Sequence, residues 1–528
     1  MSPTDVRLSF VTPVYDPPVW ALRECVGSLL PQLGPEVEWI LVDDGSSSDE
    51  HLGLLDELEY PSAVTVIRNT LNAGISSATN DGIAVARGTH IAFLDQDDLV
   101  SSRACEVIRE LLGTDPEVDV LYSDEDKIDE EGRRYGRFRK PDWSPERLRH
   151  QNYLSHLTVI RRELIDLVGG LRPEFDGSQD FDLVLRCTER AKKVVHIPKV
   201  LYHWRSIASS TASDPSAKPA AHLSAVRAVQ EHLDRVGVDG QASLMPNMYV
   251  DIRRVSAATP PVSVIIPSCG SEARIGGAPT CLVENCVASV LQLSTYPDIE
   301  IVVVLDKHSP AGLDERLRSM DPERVKVLPF AEQFNFSAKI NLGVLESRGD
   351  IIIPLNDDTQ IATPNWIEEL LVHLEEPDVA MVAPLLLLED GRVQSAGHFF
   401  EDGAHHVGAG LAFGDPGPFG VMSFPSERSG ATFAAVAIRR DVFETVGGLC
   451  EEFPRAFNDV DFGNKLRRNG FRIVFTPKAV VHHFESLTRD PRVEEFEVRS
   501  LYRRWGSLIT ERDEYLPSFW RQCYALDR

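Results

Sequence analysis

The amino-acid sequence predicts an α/β chain of two tandem domains, each built on a mostly parallel, doubly wound sheet, joined by a partly helical linker. Three observations carry this. Apolar, strand-like runs alternate with stretches of helical periodicity, the grammar of a sheet covered by helices. Strand-like runs end in Pro or in carboxylates, where the chain leaves the sheet. The whole pattern then occurs a second time, with a period of roughly 260–280 residues, far too long for a solenoid.

The elements follow in order. "VRLSFVTPVYD" is a first strand ended at Pro13, "CVGSLLPQ" an amphipathic helix, "VEWILVDDGSSSDE" a second strand ending in acid, "AVTVIRN" a third and "THIAFLDQDD" a fourth. The second unit repeats them as "PVSVIIPSCG" around Pro267, "CVASVLQL", "IEIVVVLDKHSP", "RVKVLPF" and "DIIIPLNDDT". Later blocks repeat too: "IRRELIDLVGGL" with "IRRDVFETVGGL", "QDFD" with "NDVD", and "IPKVLYHW" with "TPKAVVHH". The expected organisation is a first domain at 1–215, a partly helical linker at 216–257 with the boundary near Ala257, a second domain at 258–490 and a helical segment at 491–528.

The formal net charge of the 528 residues is −27, which excludes the basic footprint that non-specific nucleic-acid binding requires. A phosphate ligand then needs a local device: a metal, a helix N-terminus or a few Lys and Arg. The eight cysteines are scattered without a CxxC pair, so reduced thiols are expected rather than a zinc site or a disulfide framework. The opening residues lack a basic start and a long apolar run, and no stretch approaches the ~20 apolar residues of a membrane span, so a cytoplasmic location is expected.

Open parallel sheets bind ligands outside the carboxyl ends of their strands, so the acidic ends of strands two and four lie on the ligand edge. In "LDQDD", Asp95 and Asp97 have the spacing that points two side chains to one face of a strand, and such a pair can hold a hard divalent cation through oxygen. The competing reading is a helix cap, for which Asp98 is the candidate. Asp43 in "VDDGS" either accepts hydrogen bonds from a base or ribose or serves a turn. Asp180 with Asp182, and Asp459 with Asp461, open probable helices, where a carboxylate is either a general base or a favourable partner of the helix dipole. His203, and His482–His483, follow the last strands at matching places. No GxSxG, GxxxxGK, HExxH or strand-linked GxGxxG motif occurs, and "HHVGAG" (His405–Gly410) suits an acceptor-side loop.

In this order, "VTPVYD", "VDDGSSSDE", "NAGISSATNDGIAVARGTHIAFLDQDD", "VGGLRPEFDGSQDFDLVLR" and "LYHWRSIASSTA" resemble the family 2 glycosyltransferases of the GT-A fold, twice over. "YSDEDKID", "KPDWSPERLRHQNYL" and "FNFSAKINLG" further resemble tandem transferases of bacterial surface polysaccharides such as rhamnan and O-antigen. The resemblance implies an inverting transfer of sugar from a nucleotide-diphosphate donor (UDP, dTDP or GDP) to a hydroxyl of a glycan or lipid-linked glycan at the inner membrane face, with Mn²⁺ or Mg²⁺. It implies Asp180 and Asp459 as bases. Donor contacts would come from Thr12, Pro13, Tyr15, Asp43, Asp44, Asn72 and Asp95 in the first unit, and from Pro267, Asp306, Asn356 and Asp357 in the second. Metal ligands would be Asp95, Asp97 and His203, then Asp358 and His482. The second unit departs from the family pattern: "LDKHS" replaces "VDDGS" and Asn356 replaces the first Asp of the motif, leaving a neutral oxygen ligand. Two active units suit a polymerase or a two-linkage enzyme. The alternatives are one active unit beside a glycan-binding one, or a nucleotidyltransferase, which "TPVYDPP" disfavours because it is neither Gly-rich nor basic. The tail around Tyr502–Trp505 either lies on a membrane or, as expected, packs on the second unit.

Overall fold

The computed structural model describes residues 7–58, 62–206, 219–256, 258–484 and 493–516. The chain divides into two compact units: Met1–Trp143 with Leu148–Arg254, and Ser144–Arg147 with Val255–Arg528. In the first unit the strands are β1 (Leu8–Val14), β2 (Val37–Asp43), β3 (Val64–Arg68), β4 (His90–Phe93), β5 (Leu99–Val100), β6 (Val120–Ile128), β7 (Arg134–Phe138), β8 (Thr158–Arg161) and β9 (Val194–Arg205). They order as β3-β2-β1-β4-β8-β6-β9-β5, with β7 on β6. The first four are parallel to one another, as the alternating sequence predicts. Beyond β4 the sheet is mixed: β8 runs antiparallel to both neighbours, while β6 and β9 are parallel. β2 is buried along its whole length, which requires helices on both faces of the sheet.

The second unit repeats this topology strand for strand: Val325–Phe330, Ile299–Asp306, Val262–Ser268, Ile351–Pro354, Ala437–Arg439, Val379–Leu387, Arg472–His483 and Thr359–Ile361. The duplication extends to individual hydrogen bonds. The Ser9 hydroxyl donates to Glu38 at 2.7 Å and accepts from Gly88 N at 2.8 Å, and Ser263 does the same with Glu300 and Gly349. Asn80 exchanges two hydrogen bonds with the backbone of Leu171, and Asn341 with that of Leu449.

This last contact explains the "VGGL" blocks. Gly170 and Gly448 sit at φ +73° and +63°, and a Cβ there would lie 2.7 and 2.9 Å from the Asn80 and Asn341 side-chain oxygens. Both left-handed backbone and close approach demand glycine. Gly170→Ala is expected to destabilise the first unit by about 1–3 kcal/mol, read as a lowered thermal midpoint of that unit.

The stretch read as a linker is different. Helix Pro219–Val236 and the hairpin of Gly240–Leu244 with Val250–Arg254 belong to the first compact unit. His232 and Arg235 on this helix bond Glu189 at 2.8 and 2.7 Å. The polar Ser/Ala/Pro composition of 207–218, which lies outside the described residues as does Ala257, masked this continuity. In the tail, the helix Glu495–Thr510 buries Leu501, Trp505 and Ile509 against Phe400, Phe453 and Val460 of the second unit. Residues 491–492 and 517–528 of that segment lie outside the described residues. Among the described residues no helix is long and apolar enough to cross a membrane.

Candidate functional site

The end of β4 delivers the acidic stretch to the carboxyl edge of the sheet. The Asp98 carboxylate is buried there, accepting from the Tyr202 hydroxyl and from Arg205 N at 2.6 Å. It therefore joins the β4 end to β9 and caps no helix; helix Ala104–Thr114 starts at Arg103 without a side-chain cap. Burial pushes the Asp98 carboxyl well above its ordinary range, and Asp95 and Asp97 add to this. The buried Arg205 guanidinium donates to Asp97 O at 2.6 Å and to Glu24 at 2.6 Å.

Asp95, Asp98 and His156 form the one group of three or more His, Cys, Asp or Glu, among the described residues, whose ligand atoms lie within 4.8 Å of one another. Asp97 lies outside that group. His156 Nε2 is 3.8 Å from Asp95, and its Nδ1 is 3.5 Å from Glu125. Burial alone would lower the His156 pKa; Glu125, Asp95 and Asp98 outweigh it and raise it to about 9. The expected histidine, His203, is elsewhere: its Nδ1 bonds Asp126 on the neighbouring β6.

Asp180, at the mouth of helix Gln179–Thr188, accepts from Asn152 Nδ2 at 2.9 Å. Asn152 and His156 sit on the same short segment, pinned by the buried Lys140, whose ammonium donates to the backbone oxygens of Ser155 and His156. Burial raises the Asp180 pKa and the His156 charge opposes it. Its neighbour Asp182 points inward, fully buried between Arg172 (3.1 Å) and Arg186 (2.6 Å). Of the two helix-start acids, only Asp180 faces the cluster side.

The second unit gathers comparable groups differently. His483 Nε2 lies 3.1 Å from Asp358 and 3.3 Å from Asn356, while its Nδ1 bonds Gln394 at 2.8 Å. The sequence expectation was His482. Successive strand residues face opposite sides of the sheet, and the adjacent His482 instead stacks on Phe484. The sheet register pairs Gln360 with His482 and Leu99 with His203, so His483 stands where the first unit has Trp204. Conversely, the segment leading into Ala437–Arg439 places Ala434 where the first unit has His156. Each unit thus brings one imidazole to its acidic strand end from a position that is not the other's. Asp357 accepts from Ser268 at 2.6 Å, and burial, partly offset by that bond, raises it to about 6. Asp459 opens helix Asn458–Arg468 and accepts from Val460 N at 2.8 Å. Asp461 is buried against Trp505 Nε1 (2.8 Å) and Arg504 (2.9 Å), the counterpart of Asp182.

The remaining expected donor contacts fall along the same edge. Asp43 ends β2 and accepts from Ser46 N at 3.0 Å. Asp44 holds the 69–74 turn by accepting from Ala73 N, Gly74 N and Asn69. Thr12 is buried as the acceptor of Trp39 Nε1, and so supports the edge from within. Pro13 pairs with Val42, Tyr15 is 51 % exposed and bonds Gln96, and Asn72 is exposed. Pairing of Pro267 with Val304 puts Leu305 level with Asp43, and Asp306 level with Asp44 rather than Asp43. Asp306 pairs with the buried Lys339 at 2.7 Å, beside a pocket of about 330 Å³ that Phe330 and Phe334 also line. Neither Lys339 nor His156 carried a sequence signal; Lys339 is a lone residue in a stretch quoted for other reasons, and His156 falls two residues beyond "KPDWSPERLRHQNYL".

Residues 9–168 and 263–447 each match the family described as Glycosyl transferase family 2. The chain belongs to glycosyl transferase family 2. Its relatives include the O-antigen biosynthesis protein RfbC of Myxococcus xanthus, 34 % identical over 94 % of this chain and 39 % of that protein. An uncharacterized protein of Sinorhizobium fredii is 33 % identical over 98 % of this chain and 59 % of its own length. The family 2 chain thus spans between about two-fifths and three-fifths of the length of these relatives. Among solved structures, S. aureus TarS 1–349 in complex with UDP-GlcNAc aligns at 19 % identity and TM-score 0.36, covering 43 % of this chain and 66 % of that 1–349 chain. The matched segments of this family 2 transferase end within the "VGGL" blocks, at Val168 and Gly447, so the carboxylates at Asp180 and Asp459 lie beyond them.

Proposed function

We propose that this family 2 chain is an inverting glycosyltransferase with two catalytic centres. Each moves a sugar from a nucleotide-diphosphate donor to a hydroxyl of a growing surface glycan, free or lipid-linked, at the inner face of the membrane. One observation carries the reading: both units bring an imidazole against a carboxylate-bearing strand end, from different positions. A merely structural histidine would have no reason to stand at both acidic strand ends on non-equivalent positions.

Asp180 and Asp459 are the bases. Each would take the proton of the attacking acceptor hydroxyl as it adds to the anomeric carbon from the side opposite the departing nucleotide. Asn152 holds the Asp180 oxygen by a fixed donor. A divalent ion, Mn²⁺ or Mg²⁺, fits the donor sets: carboxylates with His156 in the first unit, and Asp358, Asn356 and His483 in the second. Donation of the His483 Nδ1 hydrogen to Gln394 leaves Nε2 presented to the acids, the usual arrangement of a metal-bound imidazole. When bound, such an ion neutralises diphosphate oxygens of the leaving group. Asp43 and Asp306 are the base-side carboxylates, the second neutralised by Lys339. The less acidic set of the second unit keeps alive a reading in which that unit binds glycan without turnover.

The test is nucleotide release from a panel of UDP-, dTDP- and GDP-sugars with Mn²⁺ or Mg²⁺. Release is expected from at least one donor and is abolished by a chelator; no release from any donor with either ion overturns the reading. His156→Ala is further expected to weaken Mn²⁺ binding to the first unit about 10-fold or more, whereas His203→Ala leaves it within error. Calorimetric titration of the ion decides between them.

A further inference from the structure

We infer that the helix following the last sheet strand is the positioning element of each catalytic base, and that Glu497 is the positioning residue of the second unit. The inference rests on the reading of Asp459 as that base.

Glu497, on helix Glu495–Thr510, is fully buried. Its Oε1 accepts from Arg455 N at 3.0 Å and Ala456 N at 2.9 Å. Those amides lie in the turn that feeds helix Asn458–Arg468 through Phe457, a non-glycine residue held at φ +61°. Two turns farther along, the same helix reaches Asp461 through Trp505 Nε1 and Arg504. It therefore grips the chain on both sides of Asp459. No Lys, Arg or His pairs with Glu497 among the described residues, and its Oε2 is buried without a hydrogen-bond partner. Burying a carboxylate on two backbone amides is costly for stability, so its gain lies in fixing the turn. Phe457 cannot relax to a right-handed conformation while Arg455 and Ala456 are held.

The first unit builds the same grip with other chemistry. Helix Pro219–Val236 also follows the last sheet strand. Its Ala221 O accepts from Ser178 Oγ at 2.7 Å, next to the base helix, and a Cβ on Gly177 (φ +95°) would stand 3.0 Å from the Ala221 Cβ. Its Glu231 pairs with Arg172 at 2.8 Å, and Arg172 in turn holds Asp182. Asp180 is thus bracketed as Asp459 is. The sequences "PAAHLSAVRAVQEHLDRV" and "EFEVRSLYRRWGSLIT" do not match. A contact recreated by unrelated residues at the same place in both units answers a need of that place, and the group it surrounds is the carboxylate base.

The experiment uses the full chain with Asp180→Asn silencing the first unit, and measures donor turnover by the second. Glu497→Ala is expected to lower kcat at least tenfold per folded protein, with the donor KM changed less than twofold. Glu497→Gln, whose carbonyl still accepts from both amides, stays within threefold of the parent. Glu497→Asp keeps the charge but withdraws the oxygen by one methylene, and falls between them. If the order is reversed, with Asp better than Gln, the residue acts by charge and the inference is overturned; so is it if kcat is unchanged in all three. Should Glu497→Ala fail to fold, the order of Gln and Asp still decides. Asp459→Asn in the same background separates the two levels. If it abolishes turnover while Glu497 variants do not, only the positioning inference fails; if it changes nothing, the assignment of the base fails and takes the inference with it.

Discussion

Asp180→Asn lowers turnover by the first unit about 10²–10⁴-fold, the range expected on losing a general base, with an unchanged melting temperature. The amide keeps the shape and can still meet Asn152, but it cannot accept a proton. The argument for Asp180 over its neighbour is geometric. Two residues apart at a helix start, the two carboxylates point in different directions: Asp182 is fully buried between two guanidiniums, whereas Asp180 meets the segment that carries His156. Asp459→Asn acts likewise on the second unit, and the double variant releases no nucleotide. Nucleotide release from the two single variants, each against several donors, assigns a donor to each unit. A Asp180→Asn protein that turns over every donor at the parental rate would show that the base lies elsewhere.

Asp182→Ala produces a large loss of stability, about 3–5 kcal/mol, because it leaves the buried Arg186 without its counter-charge and Arg172 with Glu231 alone. Burial opposes ionisation of Asp182, but its bonds to Arg172 and Arg186 outweigh it and hold the pKa below the ordinary 3.8. The sign follows from linkage: a carboxylate whose folded pKa is depressed stabilises above its unfolded value, and that stability drains away as pH falls through the folded value. The first unit of the parent should therefore lose stability below about pH 3.8, and the Asp182→Ala protein should lack that contribution to its acid transition. Melting curves taken at pH 7 and pH 3 check both statements; equal midpoints for parent and variant at pH 7 would remove Asp182 from the structural role given to it.

Much of the architecture was legible in the sequence because the signals were periodic or repeated. The apolar runs, their prolines and the spacing of the two copies needed no contact information, and they led to two α/β units with acidic strand ends. What was illegible depended on direction. Strand residues alternate faces, so a one-residue difference decides between His482 and His483, and a matching "YHW" and "VHH" cannot settle it. Asp98 resembled a cap because its neighbours did not reveal Tyr202, more than a hundred residues away in sequence. His156 sits on an irregular segment held by Lys140, where neither helix nor strand period applies. The grouping of helix Pro219–Val236 with the first compact unit was illegible for a compositional reason: a polar, Pro- and Ala-containing stretch precedes it, and its packing on Glu189 is a long-range event.

The bracing helices have a consequence for how the protein is made. Ribosomes add about 5–20 residues per second, and domains generally fold as they emerge. The grip on Asp180 is complete once Glu231 has emerged, before any strand of the second sheet exists. On the proposed reading, the first centre would be assembled while the second is still being synthesised. The second cannot be set until Glu497 and Trp505 are out. If the two proposed centres act in turn, a message broken or a chain cleaved between these two points would yield a protein with the first step alone, so truncation would change the product rather than merely its amount.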